Sequence, residues 1–339
     1  METYILGILI AICGNLLISI SLNTQKYTHI QQSQESTKSY YKNHLWWCGI
    51  LLMGIGELGN FAAYGFAPAS LIAPLGCVSV IASAVISVVF LKETLRASDV
   101  LGGALALTGT FLLVNFAPHS APHVTANMVE RCLISWQFLA YFFFEVVLFC
   151  ILLYLYKCVN LKHVVIVMLL VALLASVTVI SVKAVSGMII ETIRGSQLQL
   201  MYPIFYIMFF IMIVSCAFQI KFLNEAMKLF DAMEIVPINY VFFTASAVVA
   251  GILFYEEFYG LSIIYILLFV CGCICAFTGV FLVARNRPKI KLDQMFISLG
   301  QVPGKKSTDK VHPQMKDNKY GSLASKLGCD NEMMQEDST

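Results

Sequence analysis

The sequence predicts an all-α polytopic membrane protein whose nine transmembrane helices form an inverted 4+5 repeat. Three observations predict it: an oily composition, nine apolar runs of bilayer length, and an internal match displaced by five spans. Of the 339 residues, 59% are hydrophobic and 12% are charged, and the mean hydropathy is +0.79. A soluble domain is roughly 45–50% apolar and about 25% charged. The charges are also segregated, with 17 of the 42 lying in the last 55 residues. A net charge of +2, with no basic stripe interleaved with aromatics in the apolar body, excludes nucleic acid as a partner.

A bilayer core requires about 20 apolar residues per helix. The runs that satisfy this are 4–22, 45–65, 70–91, 98–117, 133–156, 163–190, 202–223, 235–254 and 261–284. The first could be a signal peptide, but it lacks a basic leader and a small-residue cleavage pattern, so a retained span is expected. Orientation follows from lysine and arginine. The loops after spans 1, 3, 5 and 7, with the adjoining span ends, hold nine: Lys26, Lys38, Lys42, Lys92, Arg96, Lys157, Lys162, Lys221 and Lys228. The opposite loops hold two, Arg131 and Arg194. The positive-inside rule therefore expects an exterior N-terminus and a cytoplasmic C-terminus.

Most of the eleven cysteines lie inside apolar runs, where a thiol acts as a small hydrophobe. The alternating Cys271, Cys273 and Cys275 are splayed by about 200° per pair on a helix and read as packing. His119 and His123 have the spacing of a weak metal contact, but a solvated loop is the better reading. No HExxH, Walker A, GxSxG or phosphate-binding glycine pattern occurs, so neither an enzyme nor a cofactor is expected.

The internal match aligns Pro74 to Glu93 with the segment from Pro237, placing Ala82-Ser83-Ala84 on Ala245-Ser246-Ala247 and Glu93 on Glu256. Thr108-Gly109 then falls on Thr278-Gly279, and the Ile20 to Asn23 end of span 1 falls more weakly on Ile180 to Lys183. A shift of five spans is odd, so the halves must be inverted relative to each other, as in many secondary transporters. Pro74 and Pro237 are expected to start their helices, where a missing amide donor costs little.

The run WWCGILLMGIGELGNFAAYGFAPASLIAPLGCVSVIASAV with FLKE, SVKAVSGM and PIFYIMF closely resembles the NIPA-type magnesium transporters, over residues 4 to 287. That family is similar to the drug/metabolite transporter superfamily, whose usual form is ten helices in two inverted sets of five. Spans 5 to 9 match a full set, while spans 1 to 4 match spans 6 to 9, so one leading helix is missing. The resemblance implies transport of Mg²⁺ and other divalent cations, with alternating access at a midplane cavity.

An ionisable group in hydrocarbon costs at least about 2.5–3.5 kcal/mol, so such groups face a cavity or a partner. Three lie within spans: Glu57, Glu145 and Lys183. Glu57 and Asn60 share a helix face and offer hard oxygens, which suits an ion that keeps most of its waters. Glu57 is the one expected metal contact. Lys183 is expected either to pair with Glu57 or to line the ion pathway with it. Asn23, aligned with Lys183, and Asn239, close to Pro237, complete the expected pathway, and Glu145 reads as a buried structural acid.

Residues 1–287 are expected to form the transporter domain and 288–339 a disordered cytoplasmic tail that cannot bury enough surface to fold. Tyr320 and Leu323 have the form of a tyrosine sorting signal, which a sorting adaptor would read. The expected setting is the plasma membrane or an endosomal membrane. Two rival readings are an organic-metabolite carrier, to which Lys183 points, and a non-transporting adaptor acting through its tail.

Overall fold

A computed structural model describes residues 2–34, 43–90, 96–118, 123–195, 198–230 and 232–285. All belong to one compact unit, Met1–Phe296. They fold as α1 (Glu2–Gln34), α2 (His44–Phe66), α3 (Ala69–Ile72), α4 (Cys77–Phe90), α5 (Ala97–Phe116), α6 (Ala126–Ile134), α7 (Trp136–Lys157), α8 (Val164–Ile193), α9 (Pro203–Leu229), α10 (Ala232–Tyr255) and α11 (Ile263–Arg285). Among the described residues, nine helices are long and apolar enough to cross a membrane, α3 and α4 together making one of them. The protein is therefore an all-helical, multi-pass membrane protein. Tyr320 and Leu323 lie outside the described residues, as does His119.

Local chemistry sets the ends. The Asn43 side chain caps α2 by accepting from the Leu45 amide at 3.0 Å, satisfying one of the donors that a helix start leaves open. α2 stops at Ala67, because the following Pro68 pushes that residue into extended backbone. Pro74 then interrupts the third span as a short 3-10 turn, Pro74–Gly76, between α3 and α4.

Three differences from the sequence expectation have local causes. Residues 126–134, expected as a loop running into span 5, form the separate helix α6, capped by Thr125 and ended at Ser135, whose ψ of 132° is non-helical. Pro237, expected at a helix start, lies inside α10, which begins five residues earlier at Ala232. α1 runs to Gln34, well past the apolar run ending at 22.

α8 is the core helix, buried along most of its length from Val167 to Glu191. α9, α10, α7 and α2 pack around it, while α1 packs on α2 and α4. Two antiparallel pairs approach backbone to backbone. A Cβ on Gly14 would lie 2.8 Å from the Gly56 carbonyl oxygen, and one on Gly56 equally close to that of Gly14. In the α5–α11 pair a Cβ on Gly102 would lie 2.8 Å from the Gly279 oxygen, and one on Gly109 2.7 Å from the Gly272 oxygen. Small residues permit this approach, and in lipid such packing replaces the hydrophobic drive that holds water-soluble helices together.

Candidate functional site

Three polar clusters lie within the bundle, and the structure distributes the expected site residues among them. The first is on α2. Its lipid stripe is Leu51, Ile55 and Leu58, all exposed. Glu57, Asn60, Phe61 and Tyr64 fall on other faces, at 100° per residue of an α-helix, with Phe61 toward α8 and Asn60 toward α1. The Asn60 amide interacts with the Glu57 carboxylate, and Asn60 Oδ1 accepts from Asn15 Nδ2 at 3.3 Å. Across from them, Thr178 Oγ1 donates to Ser215 Oγ at 3.0 Å, and the Cys216 thiol lies beside Thr178 within electrostatic reach of Glu57.

Glu57 itself is exposed. Phe61, one turn further along α2, meets α8 through the Ser186 hydroxyl. Buried Tyr64, two turns further along, lies within electrostatic reach of both Glu57 and Glu257.

The second cluster corrects the expected Glu57–Lys183 pairing. Lys183 forms an ion pair with Glu257, the two side chains being 1% and 0% exposed. Its ammonium also sits 4.5 Å from the centroid of the Tyr255 ring, whose hydroxyl is fixed by donating to Ile180 O at 2.7 Å. Glu257 in turn accepts from the backbone amides of Ala69 at 2.7 Å and Ser70 at 2.9 Å, the first residues of α3. A cation and two amides leave this carboxylate charged: burial raises its pKa, but Lys183 and the Ser70 hydrogen bonds outweigh that and bring it below the usual carboxylate range.

The local backbone fixes this position. α10 ends with Glu256 in the left-handed region at φ 50°, and the Glu257 amide donates back to Gly251 O at 3.2 Å. That bond spans one residue more than the wrap-around bond of a Schellman end, and the left-handed position, where helix ends usually have glycine, is here a glutamate. A glutamate there costs about 1 kcal/mol or more of backbone strain. Gly251 leaves the room: a Cβ on it would collide with the Glu257 carboxylate.

Sequence reading missed Glu257 because the YEEFYG segment looks like the polar end of a span. The available signal was the solitary Lys183, which needed a counter-charge, together with a second acid next to Glu256 that has no acidic counterpart in the first half. The third cluster is Glu145, 4% exposed on α7. It takes a short hydrogen bond from Ser176 Oγ on α8 and one from the Tyr141 hydroxyl at 3.4 Å, leaving Oε2 without a partner.

Asn23 is also engaged. Its Nδ2 donates to Ser19 O at 2.9 Å and Ser83 Oγ at 3.0 Å, and its Oδ1 accepts from Ser87 Oγ at 2.8 Å. These bonds join α1 to α4. Asn239 is half-buried on α10 beside Tyr240, whose hydroxyl donates to Pro74 O at 2.7 Å. His123 Nδ1 lies 2.8 Å from Glu191 Oε1, to which Arg194 also donates at 3.2 Å.

An all-helical, multi-pass bundle with a few acidic groups among its helices is the class of protein the structure defines, and comparison with known sequences says which family it belongs to. The family described as "Magnesium transporter NIPA" matches residues 2–289, and the chain belongs to it. It is 56% identical over 323 residues to "NIPA-like protein 2" of Homo sapiens, covering 95% of this chain and 84% of that protein. It is 31% identical over 288 residues to "Probable magnesium transporter NIPA1" of Arabidopsis thaliana, covering 83% and 86% respectively. The similarity to "Magnesium transporter NIPA3" of Homo sapiens is also 31%, over 287 residues, covering 81% of this chain and 69% of that protein. No solved structure matches.

Proposed function

We propose that this chain carries Mg²⁺ and other divalent cations across a membrane by alternating access, along a cleft between two inverted halves, with Glu57 as its acidic group. The observation that carries the reading is the division of labour between two acids, Glu57 on α2 and Glu257 just after α10. Lys183 neutralises Glu257, whereas among the described residues Glu57 has no lysine or arginine ion pair and stays exposed, one turn from the Phe61 carbonyl that meets α8. A carboxylate with one amide neighbour suits an ion that dehydrates reluctantly and meets only one or two acids.

Inverted halves are supported by the α5–α11 contact. In the sequence alignment Gly102, Ala106 and Gly109 correspond to Gly272, Ala276 and Gly279. Gly102 meets Gly279, Gly109 meets Gly272, and Gly109 and Gly279 each press on the alanine between the partner's glycines. Exchanging the two helices leaves this contact set unchanged, the behaviour of a two-fold axis through the crossing. The helix packing agrees: α1 lies on α2 and α4 as α8 lies on α9 and α10. The charge bias of the loops favours an exterior N-terminus and a cytoplasmic C-terminus. Residues 1–287 form the transporting part, and the tail is dispensable for flux. The organic-metabolite reading loses its one favourable feature, because Lys183 is already neutralised.

The test is Mg²⁺ uptake into liposomes containing the purified protein and an internal Mg²⁺ dye. The wild-type chain and a truncation at Arg287 should carry Mg²⁺ at similar rates. Glu57→Gln should lose at least about tenfold, the factor that ~1.4 kcal/mol represents. Undiminished flux in Glu57→Gln would remove Glu57 from the pathway, and absence of flux in the wild type would remove the function.

A further inference from the structure

Apart from Tyr240, whose hydroxyl donates to Pro74 O, several polar contacts that cross between the two halves gather toward one end of the bundle. Ser186 on α8 donates to Phe61 O on α2 at 2.6 Å, and a Cβ on Gly65 would press on Ser186 O at 2.9 Å. Arg194 lies over the Phe66 ring, 5.6 Å from its centroid. The Glu257 carboxylate, on the second half, holds the Ala69 and Ser70 amides of the first. These groups sit at the C-terminal parts of α2, α8 and α10 and the start of α3, which is the end away from the lysine-rich loops. Here the two halves are tied by charge, with Lys183 supplying the cation that keeps Glu257 ionised inside the protein. Asn23, which aligns with Lys183, spends its bonds on α4 within its own half.

We propose that the Lys183–Glu257 pair, through the α3 amides it holds, is the latch that closes the pathway at the end opposite the lysine-rich loops. Opening at that end separates α3 from Glu257. A charged carboxylate losing two amide donors in a low-dielectric interior resists that separation far more than a neutral contact does. Three features keep the carboxylate aimed at α3: the left-handed Glu256, the space above Gly251, and the Tyr255 ring beside the ammonium. This inference rests on the transport reading for its meaning, but its geometry can be tested without flux.

The test places a thiol at the latch itself, through the substitution Ser70→Cys in the full chain. Labelling by a membrane-impermeant maleimide is followed at that position by peptide mass spectrometry, so the native cysteines do not interfere. It is applied to intact cells and to inside-out vesicles, the face bearing the tail being identified by an epitope tag. In the otherwise wild-type protein the introduced thiol should label slowly from the tail-free face. With Lys183→Met and Glu257→Gln together, which leaves no unpaired buried charge, labelling from that face should rise at least about tenfold as the open population grows. Gly251→Ala, whose new methyl displaces the carboxylate, should act in the same direction and serves if the double variant fails to fold.

Unchanged labelling in a folded variant, or a rise only from the tail-bearing face, would overturn the latch. Mg²⁺ flux is measured on the same proteins. Normal wild-type flux with unchanged labelling discards the latch and keeps the transporter, whereas no wild-type flux discards the proposed function itself.

Discussion

Asn23 and Lys183 occupy matching places in the two halves of the sequence, yet they do opposite work. In the first half Ser19 and Asn23 stand one turn apart on α1 and face Ser79, Ser83 and Ser87 on α4, where Ser19 Oγ donates to Ser79 O at 2.8 Å. Every group is neutral, and the ladder binds neighbouring helices within the half. In the second half a single buried ion pair, Lys183 with Glu257, replaces the ladder, and Glu257 reaches across to α3 in the other half. Neutral hydrogen bonds between membrane helices contribute only about 0.6 kcal/mol on average, so they hold packing without much consequence when one is lost. A buried pair is different in kind, because losing either partner strands a charge. One end of the bundle is therefore packed, and the other is electrostatically committed.

The comparison breaks most directly at Glu257. Glu257→Gln alone should destabilise the protein in detergent by about 3–5 kcal/mol, since it leaves the Lys183 ammonium buried without a counter-charge. The double change with Lys183→Met should recover most of that loss; thermal or denaturant unfolding of the purified proteins measures both. A single variant as stable as wild type would mean that the pair is not energetically distinct from the ladder.

Next in size are the glycines of the α5–α11 crossing. Gly109→Ala would set a methyl carbon 2.6 Å from the Ala276 amide nitrogen, and Gly279→Ala would set one 2.6 Å from the Gly102 oxygen. Each should cost about 1–3 kcal/mol as the helices move apart. Under a two-fold relation the two losses should also be alike, so strongly unequal unfolding midpoints would argue against that symmetry.

Asn23→Ala should cost less, about 1–2 kcal/mol for several neutral bonds at the membrane average, with flux reduced little. The smallest effect is expected at Glu145, whose hydrogen-bond partners are the Ser176 and Tyr141 hydroxyls. Glu145→Gln keeps the acceptor and the shape, and unfolding should show a loss of no more than about 1 kcal/mol. A large loss there would point to a charged role for this acid on α7.

The spans were legible because bilayer thickness imposes a length that apolar runs reveal directly. His44–Phe66, Ala97–Phe116 and Trp136–Lys157 each lie within a few residues of the expected runs. α6 was not legible, since nine residues that include Glu130 and Arg131 resemble a loop until Thr125 and Ser135 are seen to cap and end them. At the candidate site, rarity in hydrocarbon identified Glu57, Glu145 and Lys183 as residues that need an environment. It could not say which environment each receives. Choosing a partner depends on where an adjacent helix ends, and α10 ends on a strained left-handed Glu256 that turns Glu257 inward.

The sequence alone therefore determined the class, the apolar spans and the residues too costly to leave unpaired, because each follows from composition or from spacing along one chain. Tertiary structure decided the pairings. Whether Lys183 meets Glu57 or Glu257 depends on distances between helices far apart in sequence, and on whether Gly251 leaves room for a carboxylate. Hydrophobicity is a property of each residue, whereas electrostatic compensation is a property of two, and only the fold brings the two together.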